Sequence, residues 1–290
     1  MLASFGELLE HAARRRRAVG AFTVYDATTA AAVLHAAERR GRGVMLLVSS
    51  QTLASPIGRR FVVAVRALAD DARAPCCLQL DHETDMAAIE HALELGFGAV
   101  MADGSRLATD ANAAFVAQAV SAAERHGAHV EAELGRVSGD EEIAAAATRG
   151  ALTDPAEAAQ FISATGANCL AVSIGNVHGR YAAPPRLDVD RLAAIRQAVG
   201  VPLSLHGASG IPDGDVLTAI DGGIVKVNVN TELRDRYFDV IEAQVADLRA
   251  GARLLDLQVK LDQSLARAVE RKLMLLDGTD QTAVSPPSTV

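Results

Sequence analysis

Aromatic side chains are scarce in this chain of 290 residues. They make up 3% of the sequence, with three tyrosines, seven phenylalanines and no tryptophan. This scarcity argues against a β-sandwich, whose core is built on bulky side chains. Half of the residues are apolar and 23 are glycine, so the chain is able to bury a full core and favours closely packed helices joined by tight turns.

Positive charge is also in short supply. Lysine and arginine number 28 against 36 aspartates and glutamates, which gives a formal net charge of −8. A protein that binds the phosphate backbone of nucleic acids needs the opposite balance, so we expect no nucleic-acid partner. The one dense basic run, Arg14 to Arg17, is interpreted as a solvated helix end. An anionic ligand would need local backbone donors, a metal or a helix terminus.

Cysteines and long apolar runs are few. Cys76, Cys77 and Cys169 leave an odd number, and a vicinal pair on one predicted strand is poorly placed for an ordinary disulfide. No apolar run reaches the roughly 18 residues of a membrane-spanning helix, and the basic run follows the N-terminal apolar segment, opposite to the order in a secretory signal. We therefore expect a reducing, cytoplasmic location and no membrane partner.

Short β-rich segments alternate with longer amphipathic ones along most of the chain. The predicted helices, several of which open with Asp or Thr in a capping position, span 28–39, 85–95, 110–126, 154–165, 188–199 and 213–220. The predicted strands span 19–24, 44–49, 76–82, 99–103, 129–134, 169–174, 202–206 and 224–229. Eight such units over about 230 residues predict an α/β fold, a (β/α)8 TIM barrel rather than an open doubly wound sheet.

The pattern changes near the C-terminus. Beyond Thr231 it predicts a C-terminal helical extension with helices at 232–248 and 254–276, separated at Gly251. We expect residues 1–276 to form a single barrel domain that includes these helices. The remaining residues, 277–290, are polar and contain proline, which predicts a disordered tail.

Reactive side chains fall where the predicted strands end, which is the face on which a barrel builds its site. His82, His178 and His206 lie at or just beyond three strand ends, and three neutral imidazoles are able to hold one Zn²⁺ with a position left open. Each histidine taken singly is more often a hydrogen-bonded core or loop residue. Together with the interleaved acids, they favour a metal site. Asp81, which precedes His82, is the candidate general acid/base, or else orients an imidazole.

Other charged side chains near these strand ends leave alternatives open. Asp103 and Glu133 either form a second divalent metal position or pair with Arg106 and Arg136. Lys226 lies within the last predicted strand, where a structural or phosphate-side role is preferred over that of a Schiff-base nucleophile.

The segments after the late strands suit a phosphate group. Glycines in HGRY and HGASG expose backbone N–H groups, and VNVNTEL leads into a helix N-terminus, whose dipole favours an anion. Phosphate sites late in a barrel are common. The candidate substrate-binding residues are Ser49, Gly179, Gly207, Ala208, Ser209, Asn228, Val229, Asn230 and Thr231.

From residue 18 to about 240 the chain resembles class II, metal-dependent fructose-bisphosphate and tagatose-bisphosphate aldolases. The segments LQLDHETD, GFGAVMADGS, VEAELGRVSGDEE, LAVSIGNVHGRY, LHGASGIPD and VKVNVNTEL occur in the family's order. The resemblance implies a (β/α)8 lyase of carbohydrate metabolism and glycolysis. Its expected reaction is the reversible cleavage of fructose 1,6-bisphosphate, or a close analogue, to dihydroxyacetone phosphate and an aldehyde such as glyceraldehyde 3-phosphate.

The resemblance also implies roles and partners. The three histidines would hold the catalytic Zn²⁺, Asp81 would act as general acid/base, and Asp103 and Glu133 would bind a second metal. Glu141 matches the family's loop glutamate, which supplies a proton, although a solvated loop acid fits the sequence equally well. The partners implied are a phosphosugar substrate and further copies of the chain in a homodimer or homotetramer.

Several positions depart from the family's pattern. Thr23 stands where asparagine is usual, Glu83 where a small residue is usual, and Arg106 where histidine is common. The C-terminal Asp-Pro-Arg-like segment that helps bind a distal phosphate is missing, with Arg253 as a tentative substitute. The alternatives are therefore the same mechanism on a ketose phosphate that lacks the distal phosphate, and a non-catalytic aldolase-like subunit.

Overall fold

The computed structural model describes residues 1–139, 146–147, 150–181 and 185–278. Eight parallel strands close into a barrel in the order β1-β10-β9-β7-β5-β4-β3-β2, and a separate two-stranded sheet pairs β6 with β8. The elements are α1 (Phe5–Arg14), β1 (Val19–Thr23), α2 (Ala27–Arg40), β2 (Val44–Ser49), α3 (Ser50–Ala54), α4 (Gly58–Asp71), β3 (Cys76–Glu83), α5 (Met86–Glu94), β4 (Ala99–Ala102), α6 (Thr109–Glu124), β5 (His129–Leu134), β6 (Ala146–Ala147), α7 (Pro155–Thr165), β7 (Cys169–Val172), β8 (Arg180–Tyr181), α8 (Val189–Ala198), β9 (Leu203–Leu205), α9 (Asp213–Asp221), β10 (Ile224–Val229), α10 (Thr231–Arg249) and α11 (Leu254–Leu276).

The predicted (β/α)8 barrel is confirmed. Each of the eight predicted strands is a barrel strand, and its bounds differ from the prediction by two residues at most. Three of the residues predicted to open helices, Asp85, Asp154 and Asp188, cap them by accepting hydrogen bonds from backbone N–H groups of the first turn. These side chains satisfy N–H groups that the first helical turn leaves unpaired. Helix α2 is capped by Asp26, not by the predicted Thr28, and Asp110 and Asp213 do not cap their helices.

Helix α1 closes the amino-terminal end of the barrel. Its apolar side chains, among them Phe5 and Leu9, are buried against inward-facing strand residues such as Ala21, Met45 and Leu47. Alternate residues of a strand point to opposite faces, so these side chains fill the barrel interior. With this end closed by apolar side chains, polar chemistry is confined to the carboxyl ends of the strands.

The C-terminal extension packs mainly on α2. The turn between α10 and α11 contains Gly251, whose φ of +102° suits glycine. In α11, Leu261 and Leu265 are buried, whereas Leu254 is 64% exposed. The apolar face of α11 is therefore covered along only part of the helix. The homodimer or homotetramer implied by the resemblance stays a prediction. Within the described residues, no helix is long and apolar enough to span a membrane.

All three cysteines are free and buried. Burial raises the pKa of the Cys77 thiol to about 12, with a smaller contribution in the same direction from Cys76. Both Cys76 and Cys77 are therefore unreactive thiols that pack as small apolar side chains, in keeping with the interpretation that this pair is not a disulfide.

A charged cluster fastens the end of α11 to the amino-terminal side of the barrel. Asp277, 9% exposed, follows α11 and forms ion pairs with Arg17, Arg40 and Arg42. Burial, together with the charges of Arg17 and Arg40, lowers the pKa of Arg42 to about 10. Asp277 lies within the predicted tail 277–290. The rest of that prediction, from residue 279 on, lies outside the described residues.

We expect Asp277→Ala to lower the free energy of unfolding by about 2–4 kcal/mol, because three partly buried guanidinium groups lose their shared counter-charge. Urea titration monitored by circular dichroism measures the change. The matched control is Asp256→Ala, which removes an exposed pair with Arg253 and should cost under about 1 kcal/mol. Equal losses in the two variants would contradict the proposed role of the cluster.

Candidate active site

The three predicted histidines meet at the carboxyl end of the barrel. His82 is the penultimate residue of β3, His178 follows β7 and His206 follows β9. Their ring centroids lie 4.8, 4.9 and 5.7 Å apart, and all three ring pairs are edge to face. One ligand atom from each histidine lies within 4.8 Å of the other two. The chain therefore brings three imidazoles from distant segments to one point, as the strand-end pattern predicts.

Backbone geometry directs His82 into this cluster. Its φ is +46°, a conformation that is uncommon for a residue with a side chain. The pairing register between β3 and β4 also shifts between Leu80 and Glu83. A local irregularity of this kind re-aims a side chain at a strand end. The sequence pattern gave no indication of this unusual conformation.

The nitrogens that face each other in the cluster are not the ones that bind carboxylates. His82 donates from Nδ1 to Asp103 Oδ2 at 2.8 Å, and His206 donates from Nε2 to Glu131 Oε1 at 2.9 Å, since a carboxylate only accepts. The remaining nitrogens, His82 Nε2 and His206 Nδ1, lie 3.0 Å apart. Two lone pairs at this distance repel unless a cation or proton lies between them.

This donor set fits a divalent metal. Tetrahedral zinc with bonds of about 2.0–2.1 Å places its ligand nitrogens about 3.3 Å apart, close to the separation of His82 Nε2 and His206 Nδ1. Imidazole ligands of zinc commonly donate their other N–H to a carboxylate, as both of these rings do. Burial lowers the pKa of His206 to about 4, although the hydrogen bond and charge of Glu131 act to raise it. The His206 ring is therefore neutral at physiological pH and able to bind a metal.

A second group of possible metal ligands consists of His82, Asp103 and Glu133. Glu133 accepts a hydrogen bond at Oε1 from the backbone N–H of Val137 at 2.9 Å, while its buried Oε2 has no hydrogen-bond partner among the described residues. Burial, together with the charge of Asp103, raises the pKa of Glu133 to about 7. A buried carboxylate oxygen in this state is a natural ligand for a cation.

The alternative interpretation of Asp103 and Glu133 was that they form salt bridges with arginine, and the described residues show no such pairs. Asp103 pairs with His82, and neither Asp103 nor Glu133 forms an ion pair with Arg106 or Arg136 there. Burial acts to raise the pKa of Asp103, but the hydrogen bond and charge of His82 outweigh it and hold this pKa well below its usual range. Asp103 is therefore ionised and available to orient His82.

A fully buried polar layer underlies the histidines. Glu131 accepts hydrogen bonds at Oε1 from Ser204 at 2.5 Å and from His206. At Oε2 it accepts from Gln79 at 2.5 Å and pairs with Lys226 at 2.7 Å. Although burial opposes ionisation, the charge of Lys226 and the hydrogen bond from His206 hold the pKa of Glu131 well below its usual range. An ionised Glu131 thus fixes the tautomer and orientation of His206.

Glu131 lies in the segment VEAELG, and the sequence analysis assigned it no role. A signal was available, because Glu131 and Glu133 alternate on one strand and must face the same side. Lys226 has the structural role that was preferred for it. Its ammonium group is fully buried and also donates to Asn228 Oδ1 at 2.6 Å, which leaves it poorly placed to attack a ketone.

Asp81 lies beside the metal-facing nitrogens. It is 2% exposed, and its Oδ1 accepts a hydrogen bond of 3.4 Å from Asn228 Nδ2. The same amide nitrogen lies 3.2 Å from His206 Nδ1. Although burial alone would lower the pKa of His82, the charges of Asp81 and Asp103 raise it well above its usual range. Asn228, predicted to bind substrate, is thus in direct contact with both Asp81 and His206.

The predicted phosphate-binding segments follow β7, β9 and β10 and form the loops at those strand ends. Gly207 has φ +62°, and a Cβ there would lie 1.9 Å from the Val177 carbonyl oxygen, so no larger residue fits. Tyr181 joins two of the loops by donating to the Gly207 carbonyl oxygen at 2.9 Å. Sequence reasoning missed this tyrosine. Ala208, Ser209, Asn230 and Thr231 are buried, and Ser209 accepts a hydrogen bond of 3.5 Å from the backbone N–H of Glu232 in the first turn of α10. Gly179 has φ +78°.

The remaining predicted contacts lie in different surroundings. Val229 is buried within β10, where it pairs with Phe22, so only its backbone is available to a ligand. Ser49 caps α3 through the backbone N–H of Thr52 at 3.1 Å and also lines the pocket beside Asp81. Glu141 lies outside the described residues. These substrate contacts stay predictions.

The structure also places the departures from the family's pattern. Glu83 turns away from the histidines and accepts hydrogen bonds from the backbone N–H groups of Thr84 and Asp85 at 2.7 and 2.9 Å. Thr23 is buried, and its hydroxyl has no partner among the described residues. Arg253 pairs with an aspartate at the start of α11 and does not line the pocket.

A cavity of about 220 Å³ opens beside the histidines. Its wall comes from the loops that follow β2, β3, β4 and β5, together with His178. The described lining residues are Ser49, Ser50, Gln51, Asp81, His82, Thr84, Asp103, Ser105, Arg106, Arg136, Val137, Gly139 and His178. The cavity therefore extends from the metal-facing nitrogens toward the side of the barrel opposite β9 and β10.

These features define a (β/α)8 barrel with a candidate metal centre and an acid at the carboxyl ends of its strands. The family description "Fructose-bisphosphate aldolase class-II" matches residues 3–281. The chain therefore belongs to the class II fructose-bisphosphate aldolase family, whose members are lyases. This confirms the resemblance inferred from the sequence.

Individual relatives agree with this membership. The chain is 39% identical over 237 residues to the "D-tagatose-1,6-bisphosphate aldolase subunit GatY" of Klebsiella oxytoca, covering 81% of this chain and 83% of that protein. The YdjI aldolase of Escherichia coli K12 has a TM-score of 0.85 at 29% identity and covers 98% of this chain and 100% of its own. A fructose-bisphosphate aldolase of Campylobacter jejuni, at 19% identity and a TM-score of 0.79 over 95% of each chain, shares the fold.

Proposed function

We propose that this protein catalyses the reversible, zinc-dependent retro-aldol cleavage of fructose 1,6-bisphosphate or a close analogue. The products are dihydroxyacetone phosphate and an aldehyde such as glyceraldehyde 3-phosphate. The observation that carries the proposal is that His82 Nε2 and His206 Nδ1, the nitrogens not bound to carboxylates, lie 3.0 Å apart with Asp81 beside them. The tagatose bisphosphate in the name of one relative is such an analogue, so both ketose bisphosphates belong in the test.

His82, His178 and His206 would hold the zinc, and Asp103 and Glu133 would hold a second divalent ion. Bound zinc supplies a Lewis acid that polarises the ketone and stabilises the charge left as the C–C bond breaks. Asp103 and Glu131 fix the tautomers of their histidines, so that a lone pair of each faces the ion. Backbone N–H groups near Gly207 and at the start of α10 would bind the phosphate of the dihydroxyacetone half.

Asp81 would remove the proton from the hydroxyl on the carbon that becomes the aldehyde. Its burial and the hydrogen bond from Asn228 hold the carboxylate at a fixed position beside the metal-facing nitrogens. Glu141 would return a proton to the dihydroxyacetone half. Lys226 contributes no imine in this scheme, because its ammonium group is bound to Glu131 and Asn228.

The test is release of dihydroxyacetone phosphate from fructose and tagatose 1,6-bisphosphates, followed with a coupled glycerol-phosphate dehydrogenase assay. We expect activity to fall by about 100-fold or more after dialysis against a chelator and to return with Zn²⁺, because the Lewis acid is removed and restored. Treatment with borohydride and dihydroxyacetone phosphate should leave activity unchanged, since no imine forms.

Three results would contradict the proposal. If zinc-loaded protein releases dihydroxyacetone phosphate from neither ketose bisphosphate, this reaction is excluded. Absence of zinc binding would favour the alternative of a non-catalytic subunit. Inactivation by borohydride would instead require a Schiff base, and Lys226→Met would then identify the lysine.

A further inference from the structure

We propose that Tyr181 is a positioning residue for the metal centre, whose hydroxyl holds the loop that carries His178 against the loop that begins at His206 before a metal binds. The inference rests on the zinc site of the proposed function and is independent of which ketose is cleaved. It gives a role to a side chain outside the described lining of the cavity. Three observations carry it: the distance of His178 from its strand, the bonds of the tyrosine hydroxyl, and a second link between the same loops.

His178 is the candidate metal ligand that its strand supports least. His82 lies within β3 and His206 directly follows β9, so the barrel itself fixes both of them. His178 lies six residues beyond Val172, the last residue of β7. A ligand on a loop has to be held by other contacts, because affinity falls when the site must be ordered as the metal binds. The position of His178 therefore depends on bonds that fix its loop relative to β9.

The Tyr181 hydroxyl lies between the two loops and bonds to both. It donates to the Gly207 carbonyl oxygen at 2.9 Å and accepts from the Val177 backbone N–H at 3.2 Å. Val177 precedes His178, and Gly207 follows His206. One hydroxyl thus connects the backbone beside one candidate ligand to the backbone beside the other. A phenyl ring in its place would keep the packing of the side chain and lose both bonds.

Asn176 provides a second link between the same loops. It is fully buried, and its Nδ2 donates to the carbonyl oxygens of His206 at 3.1 Å and Val172 at 3.2 Å. Its Oδ1 accepts from the Ile174 backbone N–H at 2.9 Å, which fixes the orientation of the amide. The amide therefore ties the loop that carries His178 to β7 and to the residue after β9. With this link in place, loss of the tyrosine hydroxyl should loosen the ligand set without separating the loops.

A positioning role and a purely structural role for Tyr181 predict different results. If the two hydrogen bonds only stabilise the loops, their loss lowers the free energy of unfolding and leaves zinc affinity unchanged. If they hold the ligands in place, zinc affinity falls, because part of the binding free energy is then spent on ordering the loop of His178. The zinc-loaded protein should keep its turnover, since the bonds to the metal then hold the imidazoles.

The test compares Tyr181→Phe with the wild-type full-length protein, both stripped of metal and titrated with Zn²⁺ in competition with a chromophoric chelator. We expect the dissociation constant for zinc to rise by about tenfold, the lower end of the usual effect for residues that orient ligands, because Asn176 still links the loops. At saturating zinc, kcat for ketose bisphosphate cleavage should stay near the wild-type value.

Tyr237→Phe is the matched control. Tyr237 also donates a hydroxyl hydrogen bond, to Asp26 Oδ2 at 2.9 Å, and it does not belong to the described lining of the cavity. The variant makes the same chemical change between α10 and the start of α2. We expect it to keep wild-type zinc affinity, so it separates the loss of one tyrosine hydrogen bond from the loss of the link between the loops.

Unchanged zinc affinity in Tyr181→Phe would overturn the inference and leave the proposed function intact. An equal loss of zinc affinity in Tyr237→Phe would also overturn it, because the effect would then come from general destabilisation. If zinc affinity falls only in Tyr181→Phe but the zinc-loaded wild type cleaves no ketose bisphosphate, the positioning role holds and the proposed function fails. Absence of zinc binding by the wild type would overturn both.

Discussion

Asp81→Ala should lower kcat for ketose bisphosphate cleavage by about a thousandfold, while zinc stays bound. Proton transfer by a positioned side chain typically contributes between about 10² and 10⁴ in rate. Asp81 belongs to neither group of possible metal ligands, so its removal leaves the imidazole cluster complete. Metal analysis of the purified variant and the coupled assay measure the two quantities separately.

The more conservative Asp81→Asn keeps the size of the side chain and should lose about as much turnover, since an amide cannot accept the substrate's proton. Asp110→Ala is the matched control, because Asp110 is an exposed acid in the first turn of α6 and does not line the cavity. Turnover of either Asp81 variant within a few-fold of the wild type would contradict the general-base assignment. Loss of zinc from Asp81→Ala would favour the alternative role of orienting an imidazole.

His206→Ala should purify with less than about a tenth of the wild-type zinc and lose turnover in proportion, because a three-histidine site needs all three ligands. Inductively coupled plasma mass spectrometry measures the zinc content. His206 is fully buried against Glu131, so its loss also leaves a cavity and an unpaired carboxylate oxygen. Far-UV circular dichroism therefore accompanies the metal analysis.

Glu131→Gln addresses the same site without removing a ligand. It should weaken zinc affinity by about 10- to 100-fold, the usual effect of changing a residue that orients a ligand. Its retained volume should keep the barrel folded. Normal zinc content and turnover in a folded His206→Ala would contradict the ligand assignment, and unchanged zinc affinity in Glu131→Gln would contradict the positioning role of Glu131.

The barrel was predictable because its signals are local. Apolar residues at strand and helix spacing, with acids such as Asp26 and Asp85 at helix starts, mark elements within short stretches of chain. The alternation of those elements restricts the topology, since parallel strands joined by helices close in few ways. Strand bounds differ from the prediction by up to two residues, since they depend on hydrogen bonding to the neighbouring strands, which the spacing of residues does not fix.

The candidate metal ligands were also predictable in part. His82, His178 and His206 could be selected because they follow strands, and strand ends converge in a barrel. The contacts between them could not be predicted, because Asp103 and Glu131 are separated in sequence from the histidines they orient by 21 and 75 residues. Hydrogen bonds of this kind depend on side-chain geometry that no local pattern encodes.

Residue order and periodicity thus identify the barrel, the three histidines and the neighbouring acids, since each follows from spacing along the chain. Three-dimensional packing alone settles which acid orients which imidazole, that Glu83 turns away from the cluster, and that Lys226 is held by Glu131. The same packing brings Arg106 and Arg136 to the lining of one cavity. The physical reason is that charge pairing and burial are properties of neighbours in space, which the closed barrel brings together from opposite ends of the sequence.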